Sequence, residues 1–191
     1  MIVPTKIILA PAGAASPDGT LTEQGKKQVE GMVHRISQYY TSVSIIYHSG
    51  IAKTEESARI ARGVFEKQIP VSIESGLCHE EVFEDFYKTY LCYKKDTTGF
   101  CGKTVQEVLS ISPAMQAGRI ELIDTIFSIA RSIQQGSVAL CFSHPFYLEL
   151  AAVLDDKDPI FCGIKPGSAI VYSVMWNDIM SSKFIYGQHV I

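Results

Sequence analysis

The sequence has no long basic run, no closely spaced cysteine pair and no apolar stretch of membrane-spanning length. The first absence argues against nucleic acid as the main partner, because phosphate-backbone binding needs clustered Lys and Arg. A net charge of −3 over 191 residues points the same way. It leaves small anionic ligands open, since these need only a local positive patch. The five cysteines, Cys78, Cys92, Cys101, Cys141 and Cys162, are odd in number and lack Cys-x-x-Cys spacing. They read as reduced thiols of a cytoplasmic protein, not as a disulfide frame or a zinc site. None opens a Cys-x5-Arg arrangement, which argues against a cysteine phosphatase. The lack of a long apolar run argues against membrane insertion. No clustered metal ligands, internal repeat, low-complexity tract or linker stands out, and no metal or cofactor is expected.

What is present suits an ordinary globular chain: 47% hydrophobic and 19% charged residues. The length fits one domain with a sizeable core, spanning 1–191. The stretch Ile7 to Ala15 has some signal-peptide character. But only four apolar residues follow Lys6 before Pro11, so a strand is the better reading. Pro11 and Gly13 stop that strand, and Thr22 is positioned to cap the helix that follows.

Along the chain, Val29, Met32, Val33, Ile36 and Tyr40 fall three or four apart and mark one helix face. Val43 to Tyr47 reads as a buried strand, Ala52 to about Lys67 as a helix, and Pro70 to Ile73 as a short strand. This βαβαβ order favours a parallel sheet with right-handed crossovers. Residues 76–118 are less regular and read as an insertion over one end of the sheet. They hold an aromatic-rich helix from Val82 to Leu91, a polar loop from Lys94 to Gly102, and a capping box at Thr104 and Glu107. Pro113 is expected to end or bend the helix after that box. Arg119 to Gln134 reads as a helix, Val138 to Phe142 as a strand, and Pro145 to Leu154 as a short helix. Ser168 to Trp176 is a further strand, with Lys183 to Tyr186 as its edge partner. The fold class is α/β: a three-layer α/β/α sandwich with a mainly parallel sheet and strands near 5–10, 43–47, 70–73, 138–142 and 168–176.

Three motifs, each at the end of a strand, and one stretch before a strand carry a resemblance. Leu21-Thr22-x-x-Gly25-x-x-Gln28 follows the first strand, with Gly13 before it. His48-Ser49-Gly50-Ile51-Ala52-Lys53-Thr54-Glu55-Glu56-Ser57-Ala58 follows the second. Ser143-His144 ends the strand from Val138, and Pro166-Gly167-Ser168 precedes the last long strand. Together they resemble the histidine phosphatase (phosphoglycerate mutase-like) superfamily. That family has Arg-His-Gly after its first strand, Ser-Ser-Pro-Leu-x-Arg-Ala after its second, and Ser-His after a late strand.

The departures matter more than the matches. Pro11 stands where the family has its phosphate-binding Arg, and Ala12 where it has its nucleophilic His. Lys53 replaces the second Arg, exchanging a planar fork for a point charge. The resemblance implies ligand-binding roles for Gly13, Lys53, His48 and His144, and catalytic roles for His144 and a general acid, either Glu80 or Glu81. In the family, an imidazole attacks phosphorus while arginines and the second histidine hold the phosphoryl oxygens. Ala12 has no lone pair to offer. Each lost charge-assisted hydrogen bond weakens phosphate binding by about 1.5–3 kcal/mol, and losing a nucleophile costs on the order of 10⁴–10⁶ in rate. The expectation is an impaired phosphatase that keeps a site for a small phosphorylated or anionic ligand, or for a protein partner. An active hydrolase using His144 with another nucleophile is one alternative, and a pure interaction module is the other.

The bland readings are concrete too. Lys53 can be a solvated helix charge and His144 a satisfied core histidine. His79, Glu80 and Glu81 can be a polar loop, and Cys141 a core filler.

Overall fold

A computed structural model describes residues 3–65, 68–78, 104–145, 147–152, 164, 167–176 and 178–185. Six strands form one sheet: β1 Thr5–Pro11, β2 Val43–His48, β3 Val71–Ile73, β4 Val138–Ser143, β5 Ala169–Met175 and β6 Asp178–Ile185. Among the described residues the helices are α1 Glu23–Tyr39, α2 Ala52–Val64, α3 Val105–Ile111 and α4 Pro113–Ser132, with a 3₁₀ turn at Ser75–Leu77. The strand order is β3-β2-β4-β1-β5-β6. β1, β4, β2 and β3 pair in parallel, and β5 and β6 are added antiparallel.

The layers follow from the alternation of side chains along each strand. Ile8 and Ala10 of β1 point into a core shared with Val29, Met32, Val33 and Ile36 of α1 and with Ala58 and Ala61 of α2. Ile7 and Leu9 point into a second core with Leu122, Ile126 and Ile129 of α4. A strand buried on both faces needs a continuous apolar run, which Ile7-Ile8-Leu9-Ala10 supplies. Crossover handedness then decides which helix covers which face. β1 to β2 and β2 to β3 step in one direction, so α1 and α2 share a face. β3 to β4 steps back, and α4 lies on the other.

Local signals decided several element ends. Thr22 Oγ1 accepts from the Gly25 N–H at 3.0 Å and starts α1. Thr104 and Glu107 form a full capping box for α3. Pro113 does not bend the helix begun there but opens a new one. Ser112 is its N-cap and Pro113 sits at the first helical position, where its missing N–H costs nothing. Of the expected insertion, 105–111 form α3 and 113–118 are the first turns of α4 itself, with Val105, Val108 and Met115 fully buried in the core on that side of the sheet. The aromatic-rich segment from Val82 to Leu91 and the polar loop after it lie outside the described residues.

The expected short helix after Pro145 is a correction. Through Ala152 the backbone makes turns closed by i→i−3 bonds: Tyr147 to His144, Leu150 to Tyr147 and Ala152 to Glu149. The Leu148 carbonyl, which Ala152 N would meet in an α-helix, instead accepts from the Tyr172 hydroxyl, and Arg119 donates to the Leu150 and Ala152 carbonyls. The edge partner of β5 is also longer than expected, Asp178–Ile185 in place of 183–186.

Candidate functional site

With β4 lying between β1 and β2, the chain segments leaving these three strands are neighbours. The segment after β1 is held by the residues of the first motif. The Ala14 carbonyl accepts from Thr22 N at 2.9 Å and Thr22 Oγ1 at 3.1 Å. Ala14 N donates to Gln28 Oε1 at 3.0 Å. Gly13 and Gly25 let the loop lie backbone against backbone on α1. A Cβ on Gly25 would fall 2.1 Å from the Ala14 oxygen. Leu21 N is fastened to Glu56 Oε2 of α2 at 3.0 Å. Each matching residue in this motif thus has a docking role. Gly13 is buried in that docking, which is where the structure puts a residue named as a ligand contact.

Pro11 and Ala12 occupy the end of β1. Lys6 N and Ala12 N donate to Ser137 and Ser143 carbonyls, so the even-numbered N–H groups of β1 face β4. The nitrogen of Pro11 therefore faces the β5 side. There the register ends at Leu9 and Ile170, so no ladder bond is lost. Pro11 pairs with Ser143 across the parallel ladder, which brings Ala12 level with His144. Ala12 is 5% exposed, and its N–H donates to the Ser143 carbonyl at 3.2 Å.

Ser143 and His144 divide their work. Ser143 Oγ donates to the Leu77 carbonyl at 2.6 Å and pins the 3₁₀ turn to β4. Thr125 of α4 packs against the same turn, with its Oγ1 3.2 Å from the Gly76 carbonyl oxygen and 2.8 Å from that of Glu121. The chain continues from that turn into Cys78 and then to His79, Glu80 and Glu81, which lie outside the described residues. His144 is 3% exposed, and its Nε2 lies 3.4 Å from Ser49 Oγ. Ser49 in turn lies 3.0 Å from Thr54 Oγ1. Burial, and to a lesser extent the positive charge of Lys53, push the His144 pKa down to about 4. His144 is therefore a neutral imidazole at neutral pH.

Lys53 lies in the first turn of α2 and is half-buried. Burial draws its ammonium below the ordinary lysine range, and the Cys78 side chain opposes that shift. The structure thus brings together Lys53, His144 and Cys78, from three separate segments. His48 stands differently. Its Nδ1 accepts from Gly50 N at 3.2 Å, and the charges that act on it are Glu55 and Arg59 of α2. Burial lowers its pKa as well. Gly50, where the family has Pro, has φ +90°, a conformation closed to proline, and it uses an N–H that proline lacks. Cys141 is fully buried, and burial pushes its thiol pKa up, away from thiolate chemistry. Among the described residues no group of His, Cys, Asp or Glu is arranged to hold a metal. No helix among them is long and apolar enough to cross a membrane.

Sequence reasoning missed Thr54, which reaches the His144 imidazole through Ser49, and Cys78, whose side chain acts on Lys53. Thr54 had a local signal, a hydroxyl in the first turn of a helix that follows a motif. Cys78 had none, since only the Ser143 tie brings its turn to β4.

No protein-family model matches the sequence, and no curated protein matches it either. Solved structures do match. Phosphoserine phosphatase from Entamoeba histolytica, in complex with 3-phosphoglyceric acid, superposes with a TM-score of 0.61 at 16% identity, covering 98% of this chain and 100% of that one. A variant of that enzyme with one histidine replaced by alanine, in complex with phosphoserine, gives 0.59 at 15% identity over 95% of each chain. Bacillus stearothermophilus YhfR gives 0.61 at 16% identity over 93% of this chain and 95% of that one. The protein histidine phosphatase SixA complexed with tungstate gives 0.54 at 12% identity over 95% and 94%. The fold of this chain is the one shared by histidine phosphatase and phosphoglycerate mutase-like proteins.

Proposed function

We propose that this chain is a degenerate histidine phosphatase-like protein, a pseudophosphatase that binds a phosphorylated or anionic ligand without turning it over by the phosphohistidine route. One observation carries the reading. Ala12 lies level with His144 at the end of β1, so an imidazole is kept on one strand end and its partner is missing on the next. The residues that dock the loop, Gly13, Thr22, Gly25 and Gln28, are retained, and the expected nucleophilic histidine and the two expected arginines are replaced by Ala12, Pro11 and Lys53. That division supports loss of catalysis on a preserved scaffold.

Lys53 and His144 are the side chains proposed to meet the anion. Lys53 supplies charge, and its half-buried position lets it act on His144. Either Glu80 or Glu81 is proposed to face the same site, on the strength of the resemblance. That an Entamoeba phosphoserine phosphatase with a histidine-to-alanine change is seen with phosphoserine supports the idea that ligand binding outlives such a loss. We also read the chain as one cytoplasmic domain with an insertion at about 76–118.

The test pairs hydrolysis of an aryl phosphate with tungstate binding by calorimetry. The expected result is binding without turnover in the natural protein, and turnover in an Ala12→His, Pro11→Arg double variant. Turnover by the natural protein that disappears in His144→Ala defeats the pseudophosphatase reading. Failure to bind tungstate favours an interaction module.

A further inference from the structure

Three hydrogen bonds link the His144 ring to the backbone at the start of α2. His144 Nε2 lies 3.4 Å from Ser49 Oγ, Ser49 Oγ lies 3.0 Å from Thr54 Oγ1, and Thr54 Oγ1 lies 2.7 Å from the Ile51 carbonyl oxygen. All three side chains are buried. A carbonyl oxygen only accepts, and a hydroxyl has one proton to give. The Thr54 proton therefore goes to Ile51. Thr54 Oγ1 then has only lone pairs for Ser49, so the Ser49 hydroxyl donates to it. Ser49 Oγ is left with lone pairs for the imidazole. His144 must be the donor, and its proton sits on Nε2.

We propose that Thr54, acting through Ser49, is a positioning residue that fixes His144 as the neutral Nε2–H tautomer, and so selects ligands that present acceptor oxygens. That Nε2 carries a proton stands on the hydrogen-bond chain alone, and that Nδ1 carries none follows from the burial that keeps the imidazole neutral. The ligand class rests on the anion-binding reading above and deepens it. At 3.4 Å the Ser49 contact is the longest of the three, and an anionic oxygen makes a shorter, stronger bond to the same N–H. A ligand that offers a donor, such as an ammonium group, meets a proton at Nε2 and the Lys53 charge beside it. The same chain keeps Ser49 from acting as a nucleophile toward a phosphoryl group. Its proton points at Thr54, and the imidazole that would have to remove it already carries one on Nε2.

The experiment is ¹⁵N NMR of the imidazole nitrogens in histidine-labelled protein, free of added anions, at pH 7. A His144→Gln sample identifies the signals. The wild type is expected to show a protonated Nε2 and an unprotonated Nδ1. A protonated Nδ1 there overturns the proposal without any further variant. In Thr54→Val the Ser49 hydroxyl loses its acceptor and turns to the ring, and the proton is expected on Nδ1. Thr54→Ser restores the wild-type pattern. Retention of the Nε2 proton in a folded Thr54→Val protein overturns the positioning role. Tungstate titration reads the second half. Affinity is expected to fall at least tenfold in Thr54→Val and to return in Thr54→Ser. Equal affinity in all three proteins, or none in a wild type with the expected tautomer, overturns the ligand class and leaves the tautomer assignment standing.

Discussion

Gly13 and Gly25 meet backbone to backbone: a Cβ on Gly13 would lie 2.2 Å from the Gly25 carbonyl oxygen. Neither side of that contact is a flexible side chain, so neither can yield. The loop after β1 and the first turn of α1 are one rigid piece, held further by Gln28 and Thr22. Gly25→Ala is expected to destabilise the protein by about 2–4 kcal/mol, because the loop must lift from the helix. Urea unfolding measures this. A loss below about 0.5 kcal/mol, the usual range for an uncoupled surface change, refutes the contact.

Ser143 is a tie between β4 and the turn that leads to Cys78. Ser143→Ala leaves the buried Leu77 carbonyl without that donor, at a cost of about 1–3 kcal/mol. Ser143→Thr keeps the hydroxyl and is expected to recover part of the loss unless its extra methyl clashes. Chemical denaturation of the three proteins gives the comparison. Equal midpoints for alanine and serine discredit the tie.

The pH dependence of stability follows from His144. Its folded pKa is about 4, below the ordinary histidine value of 6.5. Between those values the unfolded chain binds more protons than the folded one, so stability falls as pH drops from about 6.5 to 4 and levels off below. A shift of this size corresponds to on the order of 3 kcal/mol across that window. His48, also lowered by burial, adds in the same direction. Denaturant midpoints at pH 7.5 and pH 4.5, compared with those of His144→Gln, test this. The variant should show a flatter dependence, and an identical slope in both proteins rules out His144 as the source.

Lys53 supplies the positive charge at the proposed anion site, and its removal probes that site directly. Lys53→Met is expected to weaken tungstate binding about 10- to 100-fold, the equivalent of one charge-assisted hydrogen bond of about 1.5–3 kcal/mol. It should also raise the His144 pKa, because the Lys53 charge now lowers it. Calorimetry reads the first effect and NMR titration the second. Unchanged values of both would place Lys53 in solvent, away from the site.

Signals confined to neighbouring residues survived intact from sequence to structure. The run Ile7 to Ala10 became a strand buried on both faces, and the period of Val29, Met32, Val33 and Ile36 became the inner face of α1. The Thr22 cap and the Thr104 capping box formed as read. Pro113 shows the limit of the same reasoning. A proline marks a boundary either way, and only the Ser112 cap decides that a helix begins there.

What lay outside the sequence was set by contacts between distant segments. Periodicity tells which side of an element is apolar but not which strand it lies beside. The insertion of β4 between β1 and β2, which brings Ala12 level with His144, came from the packing of the whole sheet. So did the turns after His144, where the Tyr172 hydroxyl takes the Leu148 carbonyl that a helix would use. The motifs alone put alanine at residue 12, after the first strand, and a Ser-His pair at 143–144. Whether His144 donates or accepts was decided by a hydrogen bond to Ser49, 95 residues away in the chain. A hydroxyl proton has no preferred direction of its own, and only its three-dimensional neighbours give it one.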